Sequence, residues 1–158
     1  QELVVVLSVV SNWKRNNEAL LKHLETQSSS AIELQRKYYG KLIPFLYGYS
    51  WLGWAKKLFA WVKGLSGPSM RRPTSARDVE EVSIKSAALA AENFMLAISA
   101  QGFDTCPMEG FDEVRVKKCL GRSDSSRVVM VISVGERSER GVWGEQFRFP
   151  LNWFLKEI

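Results

Sequence analysis

Residues Ala87 to Gly121 read AALAAENFMLAISAQGFDTCPMEGFDEVRVKKCLG, and the order of signals in this stretch decides the fold. From Ala87 to Ala100 the residues are apolar or small almost all round, with Lys85, Glu92 and Ser99 seven apart on one line. That pattern predicts a central, buried helix, stopped by Gly102. The segment Cys106–Asp112 (CPMEGFD) reads as a loop. Asp112 then caps a short helix with Val114, Val116 and Leu120 as apolar contacts and Gly121 as terminator. Upstream, Ser75 with Asp78 three residues later is a capping-box pattern that starts the central helix. Downstream, Arg127 to Val134 (RVVMVISV) reads as a buried strand closed by Gly135.

Towards the amino terminus, Leu3 to Val10 is a run of eight largely β-branched residues. It is too short to span a bilayer and lacks the basic start and cleavage site of a signal peptide, so it reads as a second buried strand. A chain that opens directly in such a strand suggests that something normally precedes it. Ser11 and Asn12 offer helix caps, and Leu20, Leu21, Leu24, Ile32 and Leu34 recur at helical spacing between Asn16 and Lys41, with a break or fresh cap at Ser28 to Ser30. Pro44, Gly48 and Gly53 interrupt the pattern, which makes Ile43 to Ser50 a turn-rich aromatic connection. A further helix, Trp51 to Leu65, places Trp51, Trp54, Leu58, Trp61, Val62 and Leu65 along one side, with Lys56, Lys57 and Lys63 elsewhere. Gly64 to Pro73 reads as an exposed loop. Two apolar strands separated by helices point to an α+β fold.

The composition, 158 residues with 46% apolar and 25% charged, fits a single domain over residues 1–158. The excess of 22 Lys and Arg over 17 Asp and Glu is scattered, and gives no support for nucleic-acid binding. The one basic cluster, Lys56, Lys57, Lys63, Arg71 and Arg72, could face an anionic cofactor, a lipid surface or water. Cys106 and Cys119 form no CxxC motif, which suggests neither a zinc site nor a disulfide framework and fits a reducing, cytoplasmic setting. With His23 as the only histidine and no G-x-S-x-G motif, triad hydrolase chemistry has no foundation.

The stretch Ala87 to Gly121, continued through the strand at Val128 to Val134 and Gly135, resembles the FMN-dependent, oxygen-insensitive nitroreductase family over about half of the chain. There the same helix, a G-(L/F)-D-x-x-P-(I/M)-E-G-F-D loop and a short helix follow in this order. The resemblance implies a nitroreductase-like mixed sheet flanked by helices, FMN as cofactor and NADH or NADPH as reductant. It implies that Pro107, Met108, Glu109 and Gly110 lie against the isoalloxazine ring. The Gly110 N–H would be near N5, where the missing Cβ permits close approach. Glu109 would sit beside the ring or hold the nicotinamide or a water. Taken alone, Pro-Met-Glu-Gly reads as a turn before a capped helix.

The segment RGVWGEQFRFP resembles the family's carboxy-terminal segment, in which a basic residue binds the FMN phosphate. Arg148 is the residue assigned to that role and Arg140 the second, since a guanidinium fork suits phosphate oxygens; a solvated surface charge is the alternative for each. In the family the carboxy-terminal arm reaches across to a partner subunit, so a homodimer is expected. Trp153, Phe154 and Ile158 are suited to that exchange, or to packing on their own core. Residues 41–73 would form a lid or insertion, with Phe59 and Trp61 lining the pocket for a small-molecule acceptor such as a quinone or nitroaromatic. Core packing and a membrane-surface helix compete as readings of the Trp51 to Leu65 stripe, the membrane reading being the less favoured. No side chain need act as acid or base. Dehalogenation or flavin breakdown on the same scaffold, or an interaction module without catalysis, are the alternatives. The family's amino-terminal R-x-S-x-R and P-S-x-x-N-x-Q-P-W signatures have no counterpart, so the chain is expected to be the carboxy-terminal two-thirds of a longer protein and to bind FMN poorly in isolation.

Overall fold

The computed structural model describes residues 1–48, 52–122, 124–141, 144–145 and 147–157. Three strands, β1 (Glu2–Ser8), β2 (Asp104–Met108) and β3 (Arg127–Gly135), form an antiparallel sheet in the order β1-β3-β2. Among the described residues six α-helices accompany them: α1 (Trp13–Glu25), α2 (Ser30–Lys37), α3 (Ile43–Gly48), α4 (Gly53–Ser66), α5 (Ala76–Ala100) and α6 (Glu113–Cys119). The β-branched run of β3 takes the central place, pairing Val131 with Val5 on one side and with Met108 on the other. Neighbouring side chains on a strand point to opposite faces. Val131 and Ile132 are nevertheless both buried, so β3 is covered on both sides.

Helix α5 packs across all three strands. Val79 and Ala91 are buried, and the Ser8 hydroxyl of β1 donates to Ser83 at 2.7 Å. Its start follows from the sequence. Ser75 accepts from the Asp78 N–H at 3.2 Å, and the Asp78 carboxylate accepts from the N–H groups of Thr74 and Ser75 and from the Thr74 hydroxyl. The Thr74 N–H, more than any other group, holds the Asp78 carboxyl far below the usual carboxylate range. A carboxyl lowered on folding stabilises the fold above its unfolded pKa and loses that contribution as the pH falls below about 4. Asp78→Ala is therefore expected to lower stability by about 1–2 kcal/mol at neutral pH, and the difference from the parent should shrink towards pH 3 in thermal melts. A constant difference across that range would mean that the cap does not act through the ionised carboxylate.

Several expectations are corrected. The first strand runs Glu2–Ser8 at a sheet edge, and Leu3 is exposed, because an edge strand is covered on fewer sides. Asn12 stands before α1 without a side-chain cap bond, whereas Ser29 does cap α2 by accepting from the Ile32 N–H. Residues 43–48 are helix rather than turn, because they continue directly from a π-helical stretch at Tyr38–Leu42, the irregularity at which the helical ladder is re-spaced just before Pro44; Ser50 lies outside the described residues. The segment expected to be a loop contributes β2, with Pro107 tolerated because β2 is an edge strand. Helix α5 buries one face only: Leu89 and Leu96 are exposed on the side that carries Lys85, Glu92 and Ser99. In α6, Asp112 caps by accepting from the Arg115 N–H, but Val114 is exposed.

The largest departure is α4, which faces the opposite way from its amphipathic pattern. Trp54, Leu58, Trp61, Val62 and Leu65 are each more than half exposed, while Lys56 and Ala60 are buried; Trp51 lies outside the described residues. The buried face is built from Gly53, Lys56, Ala60 and Gly64, at three- and four-residue spacing. Small residues admit the returning chain: a Cβ on Gly53 would meet the Thr74 carbonyl oxygen at 2.8 Å, and Ser69 donates to the Ala60 carbonyl at 2.8 Å. Lys56 donates to the Leu46 carbonyl at 2.9 Å near the end of α3 and lies over the Phe45 ring, and burial pushes its ammonium below the ordinary lysine value. Backbone approach, not apolar area, seats this helix.

Candidate functional site

The residues Pro107 to Gly110 leave the outer edge of the sheet as an exposed strip. Both ends of the strip are anchored. β2 holds the first through its ladder with β3, where Met108 faces Val131. Beyond Gly110, Asp112 caps α6, and Glu113 accepts from the Val128 N–H at 3.0 Å and pairs with Arg127 at 3.4 Å. Arg127 also reaches Glu80 on α5 at 3.2 Å, so sheet, α5 and α6 converge behind the strip.

Gly110 is the informative position. Its backbone is not in the left-handed region, unlike that of Gly102 or Gly121. A Cβ built on it would meet nothing within 4 Å. Neither conformation nor packing within the chain calls for glycine here. An approach from outside the chain is what a side chain at this position would obstruct.

The other expected site residues stand apart from one another. Arg148 is exposed and donates to the carbonyl of its neighbour Phe147 at 3.1 Å, which leaves further donors for a ligand. Arg140 lies in the turn after β3, where the Gly141 N–H bonds the Ser138 carbonyl. Phe59 and Trp61 project from the exposed side of α4. In the carboxy-terminal tail, Phe149 packs against Phe147, Trp153 and Phe154, and all four rings remain exposed; Ile158 lies outside the described residues. The strip and the two arginines line neither of the two concavities described next.

One, of about 930 Å³, gathers around the start of β2 and the end of β3. Its charged lining is Glu2, Asp104, Glu136 and Arg137, and Arg137 is committed to Asp104 by two hydrogen bonds of 2.5 and 3.1 Å. That pairing holds the Asp104 carboxyl below its ordinary value and leaves a net acidic wall, unsuited to a phosphate. Sequence reading missed this concavity because its walls come from strand ends far apart in the chain. The second, of about 420 Å³, is lined by Val114, Lys117, Lys118, Gly121 and Arg122. Lys117 serves the carbonyls of Asp124 and Ser126, and Arg122 is paired with Asp124. Among the described residues no cluster of His, Cys, Asp and Glu could hold a metal ion.

The model of the nitroreductase family matches residues 6–136. MhqN of Bacillus subtilis, provisionally named an NAD(P)H nitroreductase, is 40% identical over 73 residues, which cover 46% of this chain and 35% of MhqN. The structure of ydfN from Bacillus subtilis, provisionally a nitroreductase, superposes on 99% of this chain and 63% of its own with a TM-score of 0.66 at 24% identity. A provisionally assigned nitroreductase from Exiguobacterium sibiricum, solved in complex with FMN, covers 99% of this chain and 61% of its own with a TM-score of 0.63 at 15% identity. The chain thus spans about three-fifths of these solved proteins, and its match to MhqN about a third of that relative.

Proposed function

Because the chain belongs to the nitroreductase family, we propose that it forms part of an FMN-dependent oxidoreductase that draws on NADH or NADPH and passes two electrons to a quinone, a nitroaromatic or a similar flat acceptor. The observation that carries this reading is the exposed strip Pro107 to Gly110, anchored at both ends, with open space over the missing Cβ of Gly110. A flat ring can lie on such a backbone, with the Gly110 N–H as a donor at its edge. Pro107 and Met108 offer apolar surface to the ring, and Glu109 stands beside it. Arg148, with Arg140 as second, would fork onto the cofactor's phosphate. FMN, when bound, supplies the two-electron chemistry, and the protein supplies binding, orientation and electrostatics. The NAD(P)H in the name of MhqN and the FMN bound to the Exiguobacterium protein support the choice of reductant and cofactor.

The protein works as a homodimer in this reading. Leu89 and Leu96 on the outer face of α5, and the tail rings of Phe147, Phe149, Trp153 and Phe154, leave more apolar surface uncovered than a monomer ordinarily does. A second copy would cover them and bring its own residues to the flavin. Residues 41–73 act as the lid or insertion, and Phe59 and Trp61 reach an acceptor only where another subunit's flavin faces α4.

The test is the visible absorption spectrum of the purified full-length protein, of which this chain is a part in this reading, after addition of excess FMN and gel filtration. A retained flavin band is expected, with affinity falling roughly tenfold in Arg148→Ala. A colourless protein, with no flavin retained, would remove the oxidoreductase reading.

A further inference from the structure

We propose that Lys56 is the positioning residue of the lid, its buried ammonium latching α4 to the end of α3 and so setting where Phe59 and Trp61 stand for an acceptor. The proposal rests on the reading that these two rings line the acceptor pocket; the latch itself is made within the chain. Lys56 is 5% exposed, and its ammonium donates to the Leu46 carbonyl at 2.9 Å with the centre of the Phe45 ring 5.3 Å away. Leu46 stands in the last turn of α3, where a helix leaves its carbonyls without internal partners and favours a cation. Among the described residues no other side chain of α4 hydrogen-bonds to another helix or strand. The remaining ties, Gly53 against the Thr74 carbonyl and Ser69 onto the Ala60 carbonyl, join α4 only to the segment that follows it.

For stability alone a lysine is a poor choice at this position. An apolar side chain could match its stem, whereas an ammonium taken out of water and given a carbonyl and a ring face loses most of its hydration. What the ammonium supplies is direction. Apolar surface grips a helix without fixing its rotation, and the apolar side of α4 is turned away from the chain, with Trp54, Leu58, Trp61, Val62 and Leu65 exposed. A hydrogen bond from one residue of a rigid helix fixes the azimuth of all the others. At about 100° per residue, Phe59 stands roughly 60° to one side of Lys56 and Trp61 roughly 140° to the other. With Lys56 held on Leu46, α4 cannot roll either ring towards its own chain, and both are presented to a flavin that another subunit brings.

The experiment is stopped-flow reoxidation of the dithionite-reduced, FMN-loaded full-length protein by 1,4-benzoquinone, whose concentration dependence gives a half-saturation constant for the acceptor and a limiting rate. Lys56→Met keeps the length of the stem and removes the donor. It is expected to raise the half-saturation constant roughly tenfold, with the limiting rate, flavin affinity and melting temperature close to the parent's. Phe59→Ala with Trp61→Ala should raise the constant in the same way. Adding Lys56→Met to that pair should raise it no further, since a latch that acts through the two rings then has nothing left to position. Amide hydrogen exchange over residues 53–66 should quicken in Lys56→Met and stay unchanged in α5. A parent-like constant in Lys56→Met, or a rise that persists in full without the two rings, overturns the proposal and leaves the flavin reading in place. So does a loss of flavin affinity or of melting temperature as marked as the effect on the acceptor, which would make Lys56 a support of the whole fold. A parent that retains no flavin fails the flavin reading itself, and the positioning role falls with it.

Discussion

Ile132→Ala is expected to lower the unfolding free energy by about 3 kcal/mol, the usual size for a buried isoleucine reduced to alanine. Ile132 is 0% exposed at the centre of β3, between Val4 of β1 and Pro107 of β2. The protein interior closes poorly over a deleted side chain, so the loss contains a cavity contribution as well as the transfer of three carbons. In a chain of this size the melting temperature should fall by roughly 6–12 °C. Leu89→Ala, at an exposed position on α5, serves as the contrast and should change stability by no more than about 0.5 kcal/mol in the monomer. A larger and concentration-dependent loss at Leu89 would show that a second copy covers that face. A loss below about 1 kcal/mol at Ile132 would mean that α5 and the sheet do not enclose it as described.

Gly110→Val is expected to weaken FMN binding on the order of a hundredfold while leaving the melting temperature unchanged. The two halves of this expectation have separate grounds. Stability should hold because a Cβ at Gly110 meets nothing within 4 Å and the backbone there needs no glycine conformation. Affinity should fall because a branched side chain would stand where a flat ring has to touch the backbone. Titration of the variant with FMN, followed by flavin fluorescence, measures the second half. Parent-like affinity in a folded variant would show that the strip is not the flavin face.

Local signals were legible where the residues that make a feature are also the residues that display it. The capping box of Ser75 and Asp78, the Asp112 cap, the Gly102 and Gly121 terminators and the β3 run all form as the sequence requires, because each depends on contacts within a few positions. The segment Pro107 to Gly110 stands out through its motif, but the place of its first residues in an edge strand does not. Pro107 reads locally as a turn residue, and only the neighbouring β3 gives it a place in a ladder.

The sequence by itself determined the caps and terminators of α5 and α6, the central strand and the α+β class, because caps, turns and hydrophobic periodicity act over one or two turns of chain. The tertiary structure alone decided which faces are covered. It turned the Gly53, Ala60 and Gly64 side of α4 inward and its tryptophans outward, since the approach of residues 69–75 depends on small side chains and not on apolar ones. It likewise left the Leu89 and Leu96 side of α5 open, since an amphipathic pattern states that a face can be buried, and only the presence of a neighbour determines that it is.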